Sequence, residues 1–516
     1  MYSDIMKIRL LFVLLLGIPL ICDAQNVTIP DANFLNALIS AGVDVNGDGK
    51  ISFAECETVR DLNVIEKNIS DLTGIEAFIN LENLLCKDNN LTTLDLSHNT
   101  GLHYLQCSNN RLTSLDVSKS QEISWLRCSN NMLTSLNVSG NAALDNLECH
   151  TNQITSLDLS ANPALVEVYC YSNQLVSLNV IGCTLLTKLF CENNQLASLD
   201  VSDNTALVTL ECHDNQLTGL NVTGCTVINT LNCEHNPLTS LDVSDLAGLQ
   251  TLDCHSSSLT SLSLSGCTGL LYIHANFNQL TSLDVSDNTL LQNLLCSNNL
   301  LSDLDVSHNT ALREINCQSN QLTGVDVTST TALQFFFCDD NRLTGLDVTK
   351  NTALVTLTCG GNLLTRINLS KNTHLMSHLG GTMYGFLDLS DMPALFEVCV
   401  WEMPFPPAGT ASRVNTAGSP NVFYTTGCSS NVAADVSETE AIHVFPNPAD
   451  EVLTIEIANG KPAAIELFHA SGRLVYSKTT GSASERIDVS GYPKGVYLVK
   501  VIQDRSVTVK KIVMEN

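Results

Sequence analysis

A cysteine recurs every 21 residues through most of this chain, and that period constrains the fold more than any other feature. The series holds one register over fourteen positions, thirteen of them Cys and one Ala, without an insertion or deletion. We call it the cysteine ladder: Cys86, Cys107, Cys128, Cys149, Cys170, Cys191, Cys212, Cys233, Cys254, Ala275, Cys296, Cys317, Cys338 and Cys359. A constant period of about 20–50 residues is typical of stacked repeats, which bury their apolar faces only against their neighbours. The ladder therefore predicts a solenoid.

A single repeat shows how each coil is built. Residues 102–112 read LHYLQCSNNRL, which is the frame L-x-x-L-x-C-x-x-N-x-L. The alternation at Leu105 and Cys107 predicts a short strand, with these two side chains inward and their neighbours outward. Asn110 and its equivalents lie where the chain must turn, and we expect their amides to bond neighbouring backbone groups in a ladder beneath the turn.

This frame resembles the leucine-rich repeat consensus, with Cys in a Leu position. Over roughly residues 61–400 the chain resembles bacterial surface leucine-rich repeat proteins of the internalin type. The resemblance implies a right-handed parallel β-solenoid and a role in adhesion or recognition, without naming a ligand.

The ladder cysteines are interpreted as packing thiols. Equivalent positions in neighbouring coils lie about 4.8 Å apart, near enough for a disulfide by Cα distance, but in-register side chains point the same way and reach the required dihedral poorly. The chain has no C-x-x-C pair of the kind that binds zinc. A few disulfides remain the alternative. Outside the ladder, Cys183, Cys225 and Cys267 are two coils apart and cannot pair with each other, whereas Cys399 and Cys428 are the best candidates for a disulfide.

The N-terminus and the net charge bear on location and partners. Residues 1–24 combine basic residues, an apolar run and Ala24, which predicts a secretory signal peptide cleaved before Gln25. A lipoprotein anchored at Cys22 is the alternative. No later segment has the length of a membrane span. A formal net charge of −28 argues against a nucleic-acid partner, because phosphate binding needs a basic face.

Residues 444–516 differ in character from the repeats. They open with VFPNPA and continue as short alternating segments separated by turn residues, which predicts a small β-sandwich. The opening, the turn at Gly472 and Arg473, and the stretch Pro493–Tyr497 resemble the type A sorting domain of the type IX (Por) secretion system. The resemblance implies handling by that machinery in a Gram-negative bacterium, removal of this domain, and release or attachment at the outer cell surface. An ordinary β-module that binds cell wall or a partner is the alternative.

These features divide the chain into five segments. They are a signal peptide (1–24), an N-terminal cap with the first irregular repeats (25–80), the repeat array (81–403), a cap edge and linker (404–443) and the sorting domain (444–516). Helices are expected at Asp31–Ser40 and near Phe53–Arg60. Near the end of the array one coil is damaged, with Gly380 in the Cys position and Asp388–Ser390 interpreted as its second segment.

Residues 44–55 match the calcium-binding loop of an EF-hand at each position, between two expected helices. Gly49 supplies the sharp turn at position 6. The predicted calcium ligands are Asp44, Asn46, Asp48, Ser52 and Glu55, with Lys50 contributing its backbone carbonyl. We expect one structural Ca²⁺ in an EF-hand-like α-helical cap; a metal-free acidic turn is the alternative.

The outward strand positions predict a ligand-binding concave face, since solenoids bind through such surfaces. Aromatic residues there stand out because they make up only 5% of the chain. The candidate ligand-binding residues are Trp125, Tyr169, Tyr171, Glu211, His213, Glu234, Asp253, His255 and His274. The acids and histidines fall in two adjacent columns, one with His213, Glu234 and His255 and one with Glu211, Asp253 and His274, so a metal site there is a lesser alternative.

The sequence carries no nucleophile elbow, P-loop, H-E-x-x-H or dinucleotide fingerprint, so we do not expect an enzyme. It predicts an exported surface protein that recognises a protein or glycan through the concave face. A structural envelope or matrix component without a dedicated ligand is the second hypothesis, and an accessory carbohydrate-capture protein is the third.

Overall fold

The computed structural model describes residues 25–377, 385–428, 442–457, 462–470, 473–503 and 506–514. The predicted signal peptide, Gly380 and Gly472 lie outside these residues. The chain forms two compact units, unit 1 ending at Asn236 and unit 2 beginning at Pro237. Among the described residues, no helix is long and apolar enough to cross a membrane.

Unit 1 begins with two helices. Helix α1 (Ala32–Ser40) starts at Asp31, whose carboxylate accepts hydrogen bonds from the first free backbone N–H groups. Helix α2 (Phe53–Cys56) starts with a capping box between Ser52 and Glu55. The first helix agrees with its prediction. The second is a single turn, shorter than predicted, because the chain soon extends into the first strand of the solenoid.

Each later coil of unit 1 has a three-residue strand whose middle side chain is buried and whose first and third face outward, and several coils add a second short strand. A 3₁₀ turn at Ile75–Ala77 separates the first two strands. The strands are β1 (Asp61–Asn63), β2 (Asn83–Leu85), β3 (Tyr104–Gln106), β4 (Trp125–Arg127), β5 (Asn146–Glu148), β6 (Ser156–Asp158), β7 (Glu167–Tyr169), β8 (Ser177–Asn179), β9 (Lys188–Phe190), β10 (Ser198–Asp200), β11 (Thr209–Glu211), β12 (Gly219–Asn221) and β13 (Thr230–Asn232).

These strands form two columns. In the first column β1, β2, β3, β4, β5, β7, β9, β11 and β13 pair in parallel with their neighbours and in register, so that Leu105 lies opposite Leu126. The second column holds the parallel pairs β6–β8 and β10–β12. The predicted parallel solenoid is therefore present in unit 1.

Unit 2 continues the same repeat and then changes architecture. A 3₁₀ turn covers Ala411–Arg413. Its strands are β14 (Ser240–Asp242), β15 (Thr251–Asp253), β16 (Ser261–Ser263), β17 (Tyr272–His274), β18 (Asn293–Leu295), β19 (Glu314–Asn316), β20 (Phe335–Phe337), β21 (Thr356–Thr358), β22 (Arg366–Asn368), β23 (Leu387–Asp388), β24 (Glu397–Cys399), β25 (Val414–Asn415), β26 (Phe423–Thr425), β27 (Ile442–Phe445), β28 (Val452–Ile457), β29 (Ala463–His469), β30 (Leu474–Thr480), β31 (Ser484–Asp488), β32 (Gly495–Gln503) and β33 (Ser506–Met514).

The last coils of unit 2 correct one detail of the sequence interpretation. Asp388 lies in β23, which pairs in parallel with β21 in the first column, and not in the second segment of a damaged coil. The coil between them is longer than 21 residues, so a constant period assigns Asp388 to the wrong segment. Parallel pairing continues from β24, which lies in the predicted array, to β26, which lies in the segment predicted as cap edge and linker. Cys399, in β24, forms a disulfide with Cys428, as predicted.

The C-terminal strands are antiparallel. One sheet has the order β27–β28–β31 and the other β30–β29–β32–β33. Both sheets contribute to a single apolar core that includes Ile455, Ile487, Ile465 and Val499.

The coil interior is filled by Leu, Val, Ile and the ladder thiols. Every cysteine of the ladder is buried and outside any disulfide, which agrees with their interpretation as packing groups. Burial raises the pKa of Cys107, Cys149 and Cys296 to about 12. These thiols are therefore neutral at physiological pH and behave as small apolar side chains.

Two ladders of side-chain hydrogen bonds join the coils. The predicted one is confirmed: the Asn110 amide nitrogen donates to the carbonyls of Cys86 and Cys107, while its oxygen accepts from the Leu91 N–H. The other was missed. Its members share one repeat position, are buried, and bond carbonyls of the preceding coils: Asn99, Asn141, Asn162, Asn204, Asn288, Asn309, Asn351 and Asn372.

Cys183, Cys225 and Cys267 occupy positions of this second ladder. The Cys183 thiol donates to the Leu159 carbonyl at 3.3 Å, and the Cys225 thiol donates to the Val201 carbonyl at 3.2 Å. All three thiols are free and buried. They therefore substitute for asparagine as weak hydrogen-bond donors, which explains why cysteines occur outside the main ladder.

Candidate functional site

The predicted calcium loop connects α1 to α2. Gly47 and Gly49 have φ values of 70° and 78°, a left-handed conformation that glycine adopts without steric cost. The Asp44 carboxylate accepts hydrogen bonds from the backbone N–H groups of Gly47, Asp48 and Gly49 at 2.9, 3.2 and 2.9 Å. The Asn46 side-chain oxygen accepts from the Asp48 N–H at 2.8 Å. The loop is thus wound around its own acidic side chains.

Glu55 closes the loop. One carboxylate oxygen accepts from the Val45 N–H at 2.9 Å, and the other from the N–H and hydroxyl of Ser52, both at 2.8 Å. The hydrogen bonds from Ser52 outweigh burial and lower the pKa of Glu55. A buried, ionised carboxylate at this position suits a hard cation.

The donor set of the loop fits Ca²⁺ in chemistry, since it offers carboxylate, amide, hydroxyl and carbonyl oxygens. Lys50 and Asp48 are exposed, with the Lys50 N–H donating to the Asp48 carboxylate at 2.9 Å. Among the described residues, the carboxylates of the loop do not form a cluster of three whose oxygens all lie within 4.8 Å of one another. In this conformation backbone donors hold the loop carboxylates apart.

A Trp–Arg pair dominates the outward face at β3 to β5. The rings of Tyr104 and Trp125 meet edge to face with centroids 5.6 Å apart. The Arg127 guanidinium lies over the Trp125 ring at 4.6 Å and forms an ion pair with Glu148 at 3.0 Å. Trp125 keeps 36% of its surface exposed. The indole is therefore fixed by its neighbours and still accessible.

Further aromatic contacts lie on the coils of β5, β7 and β9. Tyr169 stacks on Phe190 with centroids 4.9 Å apart, and its hydroxyl donates to Glu167 at 3.0 Å. Tyr171 stacks on His150 at 4.2 Å, one coil away. Because these strands pair in register with those bearing Trp125, the rings belong to one face. We call the following set the aromatic surface: Tyr104, Trp125, Arg127, Tyr169, Tyr171 and Phe190.

Glu192 follows the ladder cysteine of the coil after Tyr171. Burial raises the pKa of its carboxyl group. One carboxylate oxygen, Oε2, is buried without a hydrogen-bond partner in the part of unit 1 that the structure describes. A buried carboxylate oxygen without a donor disfavours the charged form of the group, which agrees with the direction of this pKa shift. The sequence places Glu192 on the predicted outward face, in the same column as His150 and His213, although Glu192 is not among the predicted ligand-binding residues.

Two histidines of unit 1 pair with Asp214, which is not among the residues predicted from the sequence. The Nδ1 atom of His213 lies 2.9 Å from Asp214, and that of His235 lies 3.3 Å from the same carboxylate. Glu211 ends β11 and is half-buried, while Glu234 follows β13 and is also half-buried. Asp214 has positive φ and lies in the bend after β11, which is why a strict strand alternation overlooks it.

In unit 2 the structure brings three predicted candidates together. Asp253, at the end of β15, places one carboxylate oxygen 2.7 Å from Nδ1 of His255 and the other 3.1 Å from Nδ1 of His274. The two imidazole rings stack with centroids 4.1 Å apart. Burial acts to raise the pKa of Asp253, but the hydrogen bonds from His274 and His255 outweigh it and lower that pKa.

Comparison with known proteins bears first on the C-terminal strands. Residues 443–515 match the family described as the secretion system C-terminal sorting domain. The predicted sorting domain is confirmed. This match covers β27 to β33, the antiparallel part of the chain.

Comparison with solved structures bears on the repeats. The functional domain of internalin J from Listeria monocytogenes, described as including a cysteine ladder, aligns with a TM-score of 0.50 and 26% identity over 95% of this chain and 100% of that chain. The chain is similar to internalin J in both its fold and its ladder. The predicted internalin-like leucine-rich repeat solenoid is thereby confirmed.

Two curated relatives match over short segments. Internalin J from L. monocytogenes is 39% identical over 71 residues, which is 14% of this chain and 8% of the relative. An ulvan lyase from Nonlabens ulvanivorans is 28% identical over 74 residues, 14% of each chain. The aligned segments thus span far less than two-thirds of either relative's length, so the activities of those whole proteins are not carried over.

Proposed function

We propose that this protein is an exported binding protein that recognises a protein or glycan ligand through the aromatic surface. The solenoid fold, the likeness to internalin J and the sorting domain support an exported binding role. The aromatic surface supports the location of the binding site, because rigid, partly exposed rings on successive strands give a ligand a large apolar contact.

The observation that carries the proposal is the packing around Trp125. Its ring is held by Tyr104 at one edge and covered by Arg127 at 4.6 Å. Trp, Tyr and Arg are the residues that contribute most to protein–protein binding energy. A sugar would need an open ring face for stacking, whereas a protein side chain can pack against the combined Trp–Arg surface. A protein ligand is therefore favoured over a glycan.

Two further elements complete the proposed role. The sorting domain, which we propose is a β-sandwich, would direct the chain through the type IX machinery. The repeats would then act at the cell surface or after release. A calcium ion held by Asp44, Asn46, Asp48, Ser52, Glu55 and the Lys50 carbonyl would stabilise the cap at the start of unit 1. When bound, the ion would supply positive charge that draws these oxygens together.

The test is a binding screen of the chain without its signal peptide, in the presence of calcium, against extracellular proteins and glycans. The triple variant Trp125→Ala, Tyr169→Ala, Tyr171→Ala removes the rings of the aromatic surface. The control Phe277→Asn removes an exposed ring that lies outside the strands, at a position where Asn298 stands one coil later.

Saturable binding that weakens at least tenfold in the triple variant and is unchanged in Phe277→Asn supports the proposal. Binding to glycans alone would favour the carbohydrate-capture role. If the folded protein shows only weak, salt-sensitive self-association, or if the triple variant binds as well as the parent, the aromatic surface is not the binding site and the structural role is favoured.

A further inference from the structure

We propose that Asp253, His255 and His274 bind one divalent transition-metal ion, with Zn²⁺ the best match, on the outward face of β15 and β17. The three side chains offer one carboxylate oxygen and two imidazole nitrogens, all within 4.8 Å of one another. This donor set is chemically distinct from the oxygen ligands of the calcium loop, because imidazole nitrogen prefers Zn²⁺ and related ions over Ca²⁺.

The strand register places the ligands. Asp253 and His274 are Cα partners in the parallel pairing of β15 with β17, so their side chains leave the sheet side by side. His255 lies two residues after Asp253 on the same face. Asp253 and His274 are held by the strands, and His255 lies in the turn just after β15, where its backbone N–H donates to the Asp253 carboxylate at 3.2 Å.

The carboxylate is the centre of the cluster. Its two oxygens are directed at different rings, Nδ1 of His255 at 2.7 Å and Nδ1 of His274 at 3.1 Å. The rings are nearly parallel, with an interplanar angle of 16°. Two nitrogens converging on one carboxylate form a three-sided arrangement that a cation can enter in place of the shared protons.

The distances are close to those of a bound metal. Zn–N and Zn–O bonds of about 2.0–2.2 Å in a tetrahedral site place neighbouring ligand atoms roughly 3.3 Å apart. The observed Asp253–His255 and Asp253–His274 separations are 2.7 and 3.1 Å, within a few tenths of an ångström to about 0.6 Å of that value. The two stacked rings would also have to tilt apart, because the lone pair of each imidazole nitrogen lies in the plane of its own ring. Three protein ligands leave a fourth position for water or for a group of a bound molecule.

The surroundings favour a retained ion. The side chains of Asp253, His255 and His274 keep 22%, 19% and 20% of their surface exposed, so the site is sheltered yet open to solvent. The ring of Tyr272 stands edge-on to His274 with centroids 6.3 Å apart and limits its rotation. The net charge of −28 raises the local concentration of cations around the protein.

The test uses the full chain from Gln25, stripped with a chelator and then saturated with Ca²⁺ so that the loop does not compete. Isothermal titration with Zn²⁺ gives stoichiometry and affinity, and Co²⁺ in place of Zn²⁺ gives a visible absorption spectrum that reports ligand geometry. The test variants are His274→Gln and Asp253→Asn. The control is His150→Gln, at the same repeat position as His255 but stacked on Tyr171 and bonded to a threonine.

We expect one Zn²⁺ per chain. Either test variant should lower the affinity by more than the roughly 10–100-fold that loss of an outer-shell partner causes. His150→Gln should leave the affinity unchanged. A tetrahedral Co²⁺ spectrum should be present in the parent and absent from the test variants. Circular dichroism checks that each variant is folded. Absence of binding in the parent, or equal binding in parent and both test variants, overturns the proposal.

Discussion

The side-chain amide of Asn215 donates a hydrogen bond to the carbonyl oxygen of Cys191, 3.1 Å away in the preceding coil. The same nitrogen donates to the Cys212 carbonyl at 3.1 Å, and the side-chain oxygen accepts from the Leu196 N–H at 3.0 Å. One buried side chain thus satisfies backbone groups of two successive coils. The same arrangement recurs at Asn110 and its equivalents and fixes the register in which coils stack.

Asn215→Ala should lower the free energy of unfolding by about 2–3 kcal/mol, because it leaves several buried backbone groups without partners. Chemical denaturation measured by circular dichroism checks the value. Gln216→Ala, at the exposed neighbouring position, is the control and should change stability little. Equal effects of the two substitutions would contradict the role assigned to the asparagine ladder.

The ladder thiols should make the protein sensitive to alkaline pH. Burial raises the pKa of Cys107, Cys149 and Cys296 to about 12 from an ordinary value of 9.0. Their contribution to stability is therefore complete below pH 9 and is lost as the pH rises toward 12, because only the unfolded chain releases these protons in that window. Melting temperatures between pH 7.5 and 10.5 should fall accordingly.

Cys296→Ala isolates one thiol, and Ala275 shows that alanine fits this position of the ladder. Between pH 9 and 10.5 the free energy of unfolding should fall more steeply in the parent than in the variant, and the two slopes should differ by about 1 kcal/mol per pH unit. Melting curves at pH 7.5 serve as the reference for any packing loss. Parallel pH profiles of variant and parent would show that the thiol does not titrate on unfolding.

Thiol counting should separate the free cysteines from the disulfide. The experiment uses the chain from Gln25, which lacks Cys22. Among the cysteines that the structure describes, 17 are buried and outside any disulfide, and Cys399 and Cys428 are joined. Brief alkylation of the native protein at pH 7.5 should modify none of them, and alkylation after unfolding without reductant should modify 17. Reduction should add two more. Intact mass spectrometry provides the count, and a lower number before reduction would reveal disulfides within the ladder.

Asn221→Asp should destabilise the second column of strands. The Asn221 amide donates to the Asp200 carboxylate at 3.0 Å, and Asn179 bonds Asp158 in the same way. Replacing the amide with a carboxylate sets like charges opposite each other, which costs about 0.5–1 kcal/mol. Thermal unfolding at low and high salt measures the loss, which salt should reduce. Asn221→Ser, which reproduces the residue at position 263, is the uncharged control.

Glu55→Gln should abolish the stabilisation that calcium gives to the cap. Added Ca²⁺ should raise the melting temperature of the parent, since an ion that binds only the folded state stabilises it by about 2.7 kcal/mol at 100 times its Kd. Scanning calorimetry with calcium and with a chelator measures the difference. Glu57→Gln, outside the loop, should keep the full response. If the melting temperature of the parent is the same with and without calcium, the proposed calcium site is contradicted.

The period of the sequence was sufficient to predict the strands, the ladder and the asparagine bonds. Spacing carries that information because each repeat makes the same contacts with its neighbours. The second ladder was not predicted, because Cys183 was interpreted only as a cysteine that cannot pair with Cys225 or Cys267. Cys183 and Asn162 nevertheless occupy one repeat position and bond equivalent carbonyls. Aligning all polar residues on the 21-residue period would have revealed it.

For the candidate sites, the sequence predicts which residues share an outward column but not which side chains are in contact. Spacing places Asp253, His255 and His274 on one face, but side-chain rotation decides that both rings turn to the same carboxylate. The contact of Arg127 with Trp125 depends on rotation in the same way. The longer coil before Leu387 could not be predicted, because a fixed 21-residue spacing gives no information where the coil length changes.

The asparagine at the turn has a consequence for how such a chain evolves. Every bond that Asn215 makes is local to its own coil and the one before it. A duplicated or deleted stretch of one period inside the regular part of unit 1 would restore each broken bond with an equivalent partner. The length of the solenoid can then change by whole coils, and with it the area of the outward face, while the contacts inside each coil stay the same.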